Sequence, residues 1–243
     1  MAFLTPHAPR QPIFRAPAVV PLLIGVLVVA HAARTLVSPA LSLEWINRFA
    51  FIPARYSASF LSQHGMDPGS LFDRGLPFVS YMALHNDYTH VAINCLWLLA
   101  FGPIVARRFG TPLFLFFFIL CGIAAAATHL AFNWGSLDPV IGASGGISGL
   151  MAAGIRLLPT ERPPWASAGP PAEAAMLPLW SRQILFFSLV WTVLNIVTGM
   201  TGFGMGGEVG LIAWQAHMGG FVAGLLLSEV FDRIRPQAIG EPL

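Results

Sequence analysis

Apolar residues occur along this chain in runs of about 20, and short polar segments separate the runs. An α-helix of that length crosses the hydrocarbon core of a bilayer, which is about 30 Å thick. The longest runs cover approximately residues 18–37, 76–104, 112–132, 182–198 and 211–231. The pattern therefore predicts an all-α, polytopic membrane domain over residues 18–234.

A shorter apolar segment follows a glycine-rich stretch, residues 142–149 with the sequence GASGGISG. A helix from Ser144 to Leu158 would rise only about 22 Å, which is less than the hydrocarbon core. A helix that reaches one membrane face from Leu158 must therefore begin below the other. Non-helical backbone at that depth is tolerated only where protein buries it or where it lines a water-filled cavity. We expect six transmembrane helices, of which the fourth is short and recessed, with Ser144 in a sunken cavity.

The segments between the runs differ in character. Residues 1–17 form a Pro-rich lead that we expect to be disordered, and residues 235–243 form a polar tail. Residues 38–75 interleave aromatic and charged side chains, which favours a structured loop in the membrane interface. The Pro-rich loop 159–180 is predicted to be exposed, and the Gly-rich loop 199–210 to be a mobile lid. An Ala30-His31-Ala32 sequence resembles a signal-peptidase site, so processing of the first span stays an alternative.

Composition supports the membrane class and excludes others. Hydrophobic residues make up 56% of the chain and charged residues 10%, with a mean hydropathy of +0.69, outside the range of soluble globular proteins. The formal net charge of +2 and the lack of a basic, aromatic groove argue against a nucleic-acid partner. Cys95 and Cys121 lie in apolar segments, so we expect packing residues rather than a disulfide or a metal site.

The arginines predict the orientation in the membrane. With six spans, one side of the membrane receives the arginines at positions 10, 15, 107, 108, 156, 162, 182, 233 and 235. The short loops 133–141 and 199–210, on the other side, contain none. The positive-inside rule then makes both termini cytoplasmic and turns the Ser144 end of its helix outward. We expect an integral protein of a bacterial inner membrane.

Polar residues inside apolar spans are costly and therefore mark candidate functional positions. The second predicted span contains His85, His90 and Asn94, and the last two are four residues apart, on one face of a helix. The sixth contains His217.

Small residues flank His217 at helical spacing, namely Ala216, Gly220 and Gly224. Such a stripe lets another helix approach closely, and the segment Gly145–Gly149 offers a matching smooth surface. A close approach of the two helices would bring His217 beside Ser144.

At these residues the chain resembles the rhomboid family of intramembrane serine proteases. The motifs are Gly142-Ala143-Ser144-Gly145, the His85, His90, Asn94 pattern, and Ala216-His217 with Gly220 and Gly224. The resemblance covers about residues 18–231. It implies Ser144 as nucleophile and His217 as base, with His90, Asn94 and the Ser144 backbone N–H holding the oxyanion. It also implies structural roles for His85 and for the glycines after the serine, which begin with Gly145. We expect supporting roles for Gly142, Ser148, Gly220 and Gly224 as well.

The residue types agree with these roles. A serine hydroxyl needs an adjacent base to become a useful nucleophile, and peptide hydrolysis needs donors aimed at the developing oxyanion. Asp87 lies at a loop end and Glu229 near the opposite membrane face, so a dyad rather than a triad is predicted. The simpler alternatives are that Ser144 only caps its helix and that His217 only joins two helices. Metal binding by the histidines has no carboxylate or thiolate support, and we expect neither metal nor cofactor.

Ser148 departs from the family pattern, which often has an aromatic residue four positions after the nucleophile. Two interpretations are open. The Ser148 hydroxyl bonds back to the Ser144 carbonyl, which we favour. Alternatively, it or a water accepts a hydrogen bond from the His217 nitrogen that faces away from Ser144.

Taken together, the sequence predicts a serine endopeptidase that cleaves transmembrane segments of single-span or polytopic substrates within the lipid bilayer. An inactive rhomboid-like protein that binds or escorts membrane clients is the alternative, and intact Ser144 and His217 argue against it. A transporter would predict internal repeats, which the sequence does not show.

Overall fold

The computed structural model describes residues 16–157, 175–201 and 213–235. Within these ranges the chain is helical, with no named strand. The helices are α1 Val19–Leu36, α2 Pro39–Phe49, α3 Ala58–Gln63, α4 Leu71–Gly75, α5 Pro77–Ser80, α6 Tyr88–Phe109, α7 Thr111–Phe132, α8 Ser144–Arg156, α9 Arg182–Thr201 and α10 Trp214–Ile234, with 3-10 turns at Pro53–Tyr56 and Tyr81–Ala83.

Four of these helices, α1, α6, α7 and α9, are long and apolar enough to cross a membrane. Helix α8, with 13 residues, is shorter than the others that pack around it. Helix α10 has 21 residues, but its sequence includes Gln215 and His217 near its start and charged residues in its last turns. The all-α class is confirmed, whereas the number of spans stays a prediction.

The second predicted span was wrong at its start. Instead of one helix from residue 76, the chain forms α5, a 3-10 turn and an extended stretch before α6 begins at Tyr88. The reason is local: Asp87 has an extended backbone, and its carboxylate accepts the His90 backbone N–H at 2.8 Å, so it caps α6. His85 therefore lies in the loop before the helix, while His90 and Asn94 occupy its first two turns.

Helix α8 lies at the centre of the protein, packed between α6, α7 and α10, and its residues from Gly145 to Arg156 are buried. Glycines permit the contact with α10. A Cβ on Gly220 would overlap the Gly145 carbonyl oxygen, and a Cβ on Gly224 would overlap that of Gly149. The close approach predicted from the small-residue stripe is therefore present in the structure.

Helices α6, α8 and α10 run in the same direction. Their first turns carry His90, Ser144 and His217, and their last turns meet at the other end of the protein. There Arg108 of α6 binds Asp232 of α10 through two hydrogen bonds of 2.6 and 3.1 Å. Buried Arg156, the last residue of α8, donates to the Leu225 carbonyl and to the Ser228 hydroxyl of α10, both at 2.8 Å.

The region 38–75 is structured, as its composition predicts, and it contacts the chain just before α8. Phe51 and Val140 exchange two backbone hydrogen bonds of 3.1 and 2.8 Å, and the Ala54 N–H donates to the Ser136 carbonyl at 2.8 Å. This contact holds the segment that leads into Ser144.

The remaining predictions about loops fall largely outside the described residues. This applies to the lead up to residue 15, to residues 159–174 of the Pro-rich loop and to residues 202–210 of the predicted lid. Gly199, expected in that lid, belongs instead to α9, where a Cβ would come within 2.6 Å of Trp214. The described end of the Pro-rich loop is attached to α8, since Leu177 exchanges hydrogen bonds with Arg156.

Candidate active site

Ser144 is the first residue of α8, and the backbone before it is shaped by Gly142. Gly142 has a φ of 122°, a conformation that L side chains rarely adopt. A Cβ at this position would also lie 2.8 Å from His90 Nε2. The Ser144 N–H belongs to the first turn of α8 and so has no acceptor within the helix.

His217 lies in the first turn of α10, and its Nε2 is 2.7 Å from the Ser144 Oγ. This hydrogen bond joins residues 73 positions apart in sequence. It forms because the glycines of α8 and α10 let the two helix backbones touch at this level. A hydroxyl and an imidazole at this distance are within reach of proton transfer from one to the other.

The other nitrogen of His217 has a partner that sequence reasoning missed. His217 Nδ1 is 2.8 Å from the side-chain Oδ1 of Asn195, on α9. The signal was present in the sequence, because Asn195 is a polar residue inside the fifth predicted span, near its end.

Ser148 is not the hydrogen-bond partner of His217 Nδ1. Its hydroxyl donates to the Ser144 carbonyl at 2.8 Å, one turn back along α8. Of the two interpretations left open, the structure supports the local one. Helix packing is not the only contact that orients His217, since Asn195 hydrogen-bonds to the ring.

His90 and Asn94 are buried beside the pair, one turn apart on α6. The Asn86 N–H donates to His90 Nδ1 at 3.4 Å, which places the ring hydrogen on Nε2, toward Gly142 and Ser144. Asn94 Nδ2 donates one hydrogen to the His90 carbonyl at 2.9 Å and retains a second.

His85 is fully buried and lies behind this group. Its Nε2 accepts the Ala143 N–H at 3.5 Å, and its carbonyl accepts a hydrogen bond of 2.6 Å from Arg34 of α1. His85 thus contacts the backbone next to Ser144 rather than the reactive pair.

These side chains share one cavity of about 340 Å³. Ser144, His217, His90 and Asn94 line it together with apolar and aromatic residues, which include Ile93, Trp97, Met151, Trp191 and Leu194. The cavity combines one group of polar side chains with apolar walls between α6 and α9. It therefore suits a largely apolar ligand.

Comparison with known families agrees with the motifs. A model of the Rhomboid domain matches residues 73–233, which is more than half of the chain and includes every candidate site residue. Comparison with curated protein sequences yields no match. The match, together with the all-helical architecture and the apolar helices, shows that this integral membrane protein belongs to the rhomboid family.

Proposed function

We propose that the protein is an intramembrane serine endopeptidase that cleaves transmembrane segments of other membrane proteins through a Ser144–His217 dyad. The observation that carries the proposal is the 2.7 Å hydrogen bond between Ser144 Oγ and His217 Nε2 in a cavity with apolar walls. The resemblance to active rhomboid proteases supports the same reaction.

The chemistry follows from the positions of these groups. Ser144 Oγ attacks the carbonyl carbon of the scissile peptide bond while its proton moves to His217 Nε2. The C–N bond then breaks, and the amine product leaves with that proton. A water molecule attacks the resulting ester, gives a proton to Nε2 and releases the carboxylic acid, after which the proton returns to Ser144.

The oxyanion that forms in both steps needs preorganised donors. The candidates are the Ser144 N–H, which has no acceptor within α8, His90 Nε2–H and the second Asn94 amide hydrogen. Two of these donors come from α6 and one from α8, so the proposed hole depends on the contact between these helices.

The membrane arrangement that we propose has six spans, with α8 as the short fourth span. At 1.5 Å per residue, the 13 residues of α8 rise about 20 Å, against about 30 Å for the hydrocarbon core. Its Arg156 end is level with the arginine-rich ends of α6 and α10, which we assign to the cytoplasm. Ser144 then lies below the outer surface, and both termini are cytoplasmic, in a bacterial inner membrane.

The test incubates the purified protein in lipid nanodiscs with a panel of single-span substrates that carry helix-destabilising residues. Ser144→Ala and His217→Ala should each abolish cleavage, and the double variant should be no worse, because the two residues act as one unit. Ser148→Ala is the matched control from the same helix and should cleave normally. A fluorophosphonate should modify Ser144 in the wild type.

The alternative function gives a different result. A client-binding rhomboid-like protein would retain single-span proteins through detergent washes while wild type neither cleaves them nor reacts with the fluorophosphonate. Full cleavage by His217→Ala would contradict the assigned base.

A further inference from the structure

Asn195 is one of three buried side-chain positions of α9, together with Ile184 and Gly199. Most of the helix turns apolar side chains outward, among them Phe186, Leu189, Val193 and Leu194. A side-chain amide in such a helix is costly unless its hydrogen-bonding capacity is used. Asn195 is only 4% exposed, and both ends of its amide are hydrogen-bonded.

The two bonds of Asn195 have a defined direction. The Trp191 backbone carbonyl can only accept, so the amide atom 2.8 Å from it is the nitrogen. The atom that faces His217 is therefore the amide oxygen, which can only accept. His217 Nδ1 must then carry the ring hydrogen when the imidazole is neutral.

The tautomer of His217 also determines how its ring meets the Ser144 hydroxyl. With the hydrogen on Nδ1, His217 Nε2 has a free electron pair and accepts the Ser144 hydroxyl hydrogen. The opposite tautomer would point an N–H at the serine oxygen and could not take its proton. We propose, on the basis of the function assigned above, that Asn195 is the positioning residue of the catalytic base and selects its reactive tautomer.

An amide suits this position better than a carboxylate. In soluble serine hydrolases a buried Asp orients the histidine. An ionised carboxylate among apolar helices carries a large desolvation cost, which a neutral amide avoids while still offering an oxygen to Nδ1–H. The described carboxylates near either end are engaged elsewhere: Asp87 caps α6, and Glu229 pairs with Arg233 at 2.5 Å.

Because Asn195 belongs to α9, which packs mainly on α10, the orientation of His217 also depends on how α9 is seated. A displacement of α9 would remove the acceptor from Nδ1. The helix thus contributes to the chemistry although it contains neither the nucleophile nor the base.

The experiment compares wild type with Asn195→Ala, Asn195→Leu and Asn195→Asp, using Ser188→Ala as the matched control. Ser188 is two turns away along the same helix, and its buried hydroxyl has no hydrogen-bond partner among the described residues. Leucine keeps the number and branching of the side-chain heavy atoms of Asn195 without an acceptor. Aspartate keeps the oxygen that faces His217 and loses the amide donor to Trp191. Each variant is measured for kcat, KM, melting temperature and pH profile.

We expect Asn195→Ala and Asn195→Leu to lower kcat by about 10- to 100-fold, with KM nearly unchanged. This loss is part of the rate acceleration of about 10²–10⁴-fold that a general base contributes. Asn195→Asp should recover kcat at alkaline pH. Its acid limb should move to higher pH, because a carboxylate stabilises the protonated ring, which cannot act as base. His90 of α6 is the titratable group that interacts with His217, and it is common to all variants, so its titration does not affect the comparison.

Three results would overturn the proposal. Wild-type kcat in both Asn195→Ala and Asn195→Leu would show that the acceptor is not needed. An Asn195→Asp variant as slow as Asn195→Ala at every pH would assign the effect to the Trp191 bond. Wild-type protein that fails to cleave or to react with the fluorophosphonate would refute the proposed function itself, and the inference with it.

Discussion

At the scale of single residues, the site depends on which polar side-chain atoms still have an unused hydrogen-bond donor or acceptor. Asn94 and Asn195 both donate Nδ2 to the carbonyl four residues back, at 2.9 and 2.8 Å. The two amides differ in the polar atom that each uses for its second hydrogen bond. Asn195 presents its oxygen to His217, whereas we assign the second N–H of Asn94 to the substrate oxyanion. Residue type alone does not separate these roles.

The oxyanion assignment predicts that Asn94→Ala lowers kcat by about 10²-fold, as removal of one oxyanion donor does in other hydrolases, with little change in melting temperature. His90→Ala should lower kcat to a similar extent. The measurement is steady-state cleavage of a single-span substrate together with a thermal melt.

Asn133→Ala is the control, because Asn133 makes the same kind of bond to the His129 carbonyl, at 3.0 Å, at the end of α7. It should cleave at the wild-type rate. An Asn94→Ala variant with wild-type kcat would show that Asn94 is not an oxyanion donor.

The Asp87→Asn variant, once shown to be folded, should lose little activity. A loss of all its activity would restore the hypothesis of a catalytic triad.

At the scale of elements, the decisive contact is that between α8 and α10. A Cβ on Gly220 or Gly224 of α10 would collide with the backbone of α8, at the carbonyl oxygens of Gly145 and Gly149, close to Ser144 and His217. Larger residues at Gly220 and Gly224 would move the two helices apart and break the Ser144–His217 hydrogen bond. The glycines therefore determine the distance between Ser144 and His217 through helix spacing.

Gly220→Ala should lower the melting temperature, because overpacking typically costs about 1–3 kcal/mol of folding free energy. It should lower kcat as well. The added Cβ would meet the Gly145 carbonyl, and this backbone cannot rotate away as a side chain could. Thermal melts and cleavage rates of the purified variant test this expectation.

Gly25→Ala provides the control, because a Cβ on Gly25 of α1 would have nothing within 4 Å. Alanine also has the higher helix propensity, so melting temperature should stay the same or rise. Equal effects of the two substitutions would show that helix spacing at Gly220 is not limiting.

At the scale of the whole molecule, polar groups are separated between two ends. His90, Ser144 and His217 occupy the first turns of α6, α8 and α10, and Arg108, Arg156 and Arg233 the last. Between the ends, apolar side chains such as Leu22, Phe116, Phe186 and Leu226 are exposed on the helices. An apolar band of this kind, between a polar site and an arginine-rich end, is expected of a protein surrounded by lipid.

This arrangement predicts the topology. Reporter fusions after residues 108 and 170 should report a cytoplasmic location, and a fusion after residue 205 an external one. Paired reporters that are active on opposite sides of the membrane provide the control at each site. An external location at residue 170 would invert the orientation and turn Ser144 toward the cytoplasm.

The sequence by itself determined the all-α class, the positions of most helices and the identity of the rhomboid motifs. It could do so because apolar runs and costly intramembrane polar residues are local signals, readable one segment at a time. It also located Ser144 and His217, since matching glycine stripes on two segments predict their contact.

Only the tertiary structure decided between the two interpretations of Ser148 and showed the contact of Asn195 with His217. The start of α6 at Tyr88 is a local feature, because Asp87 in the polar segment 85–90 caps the helix through one hydrogen bond. The partner of His217 Nδ1 depends on how α9 is rotated against α10, and no local pattern encodes that rotation. Asn195 and His217 are 22 positions apart, and their contact exists only after both helices have packed.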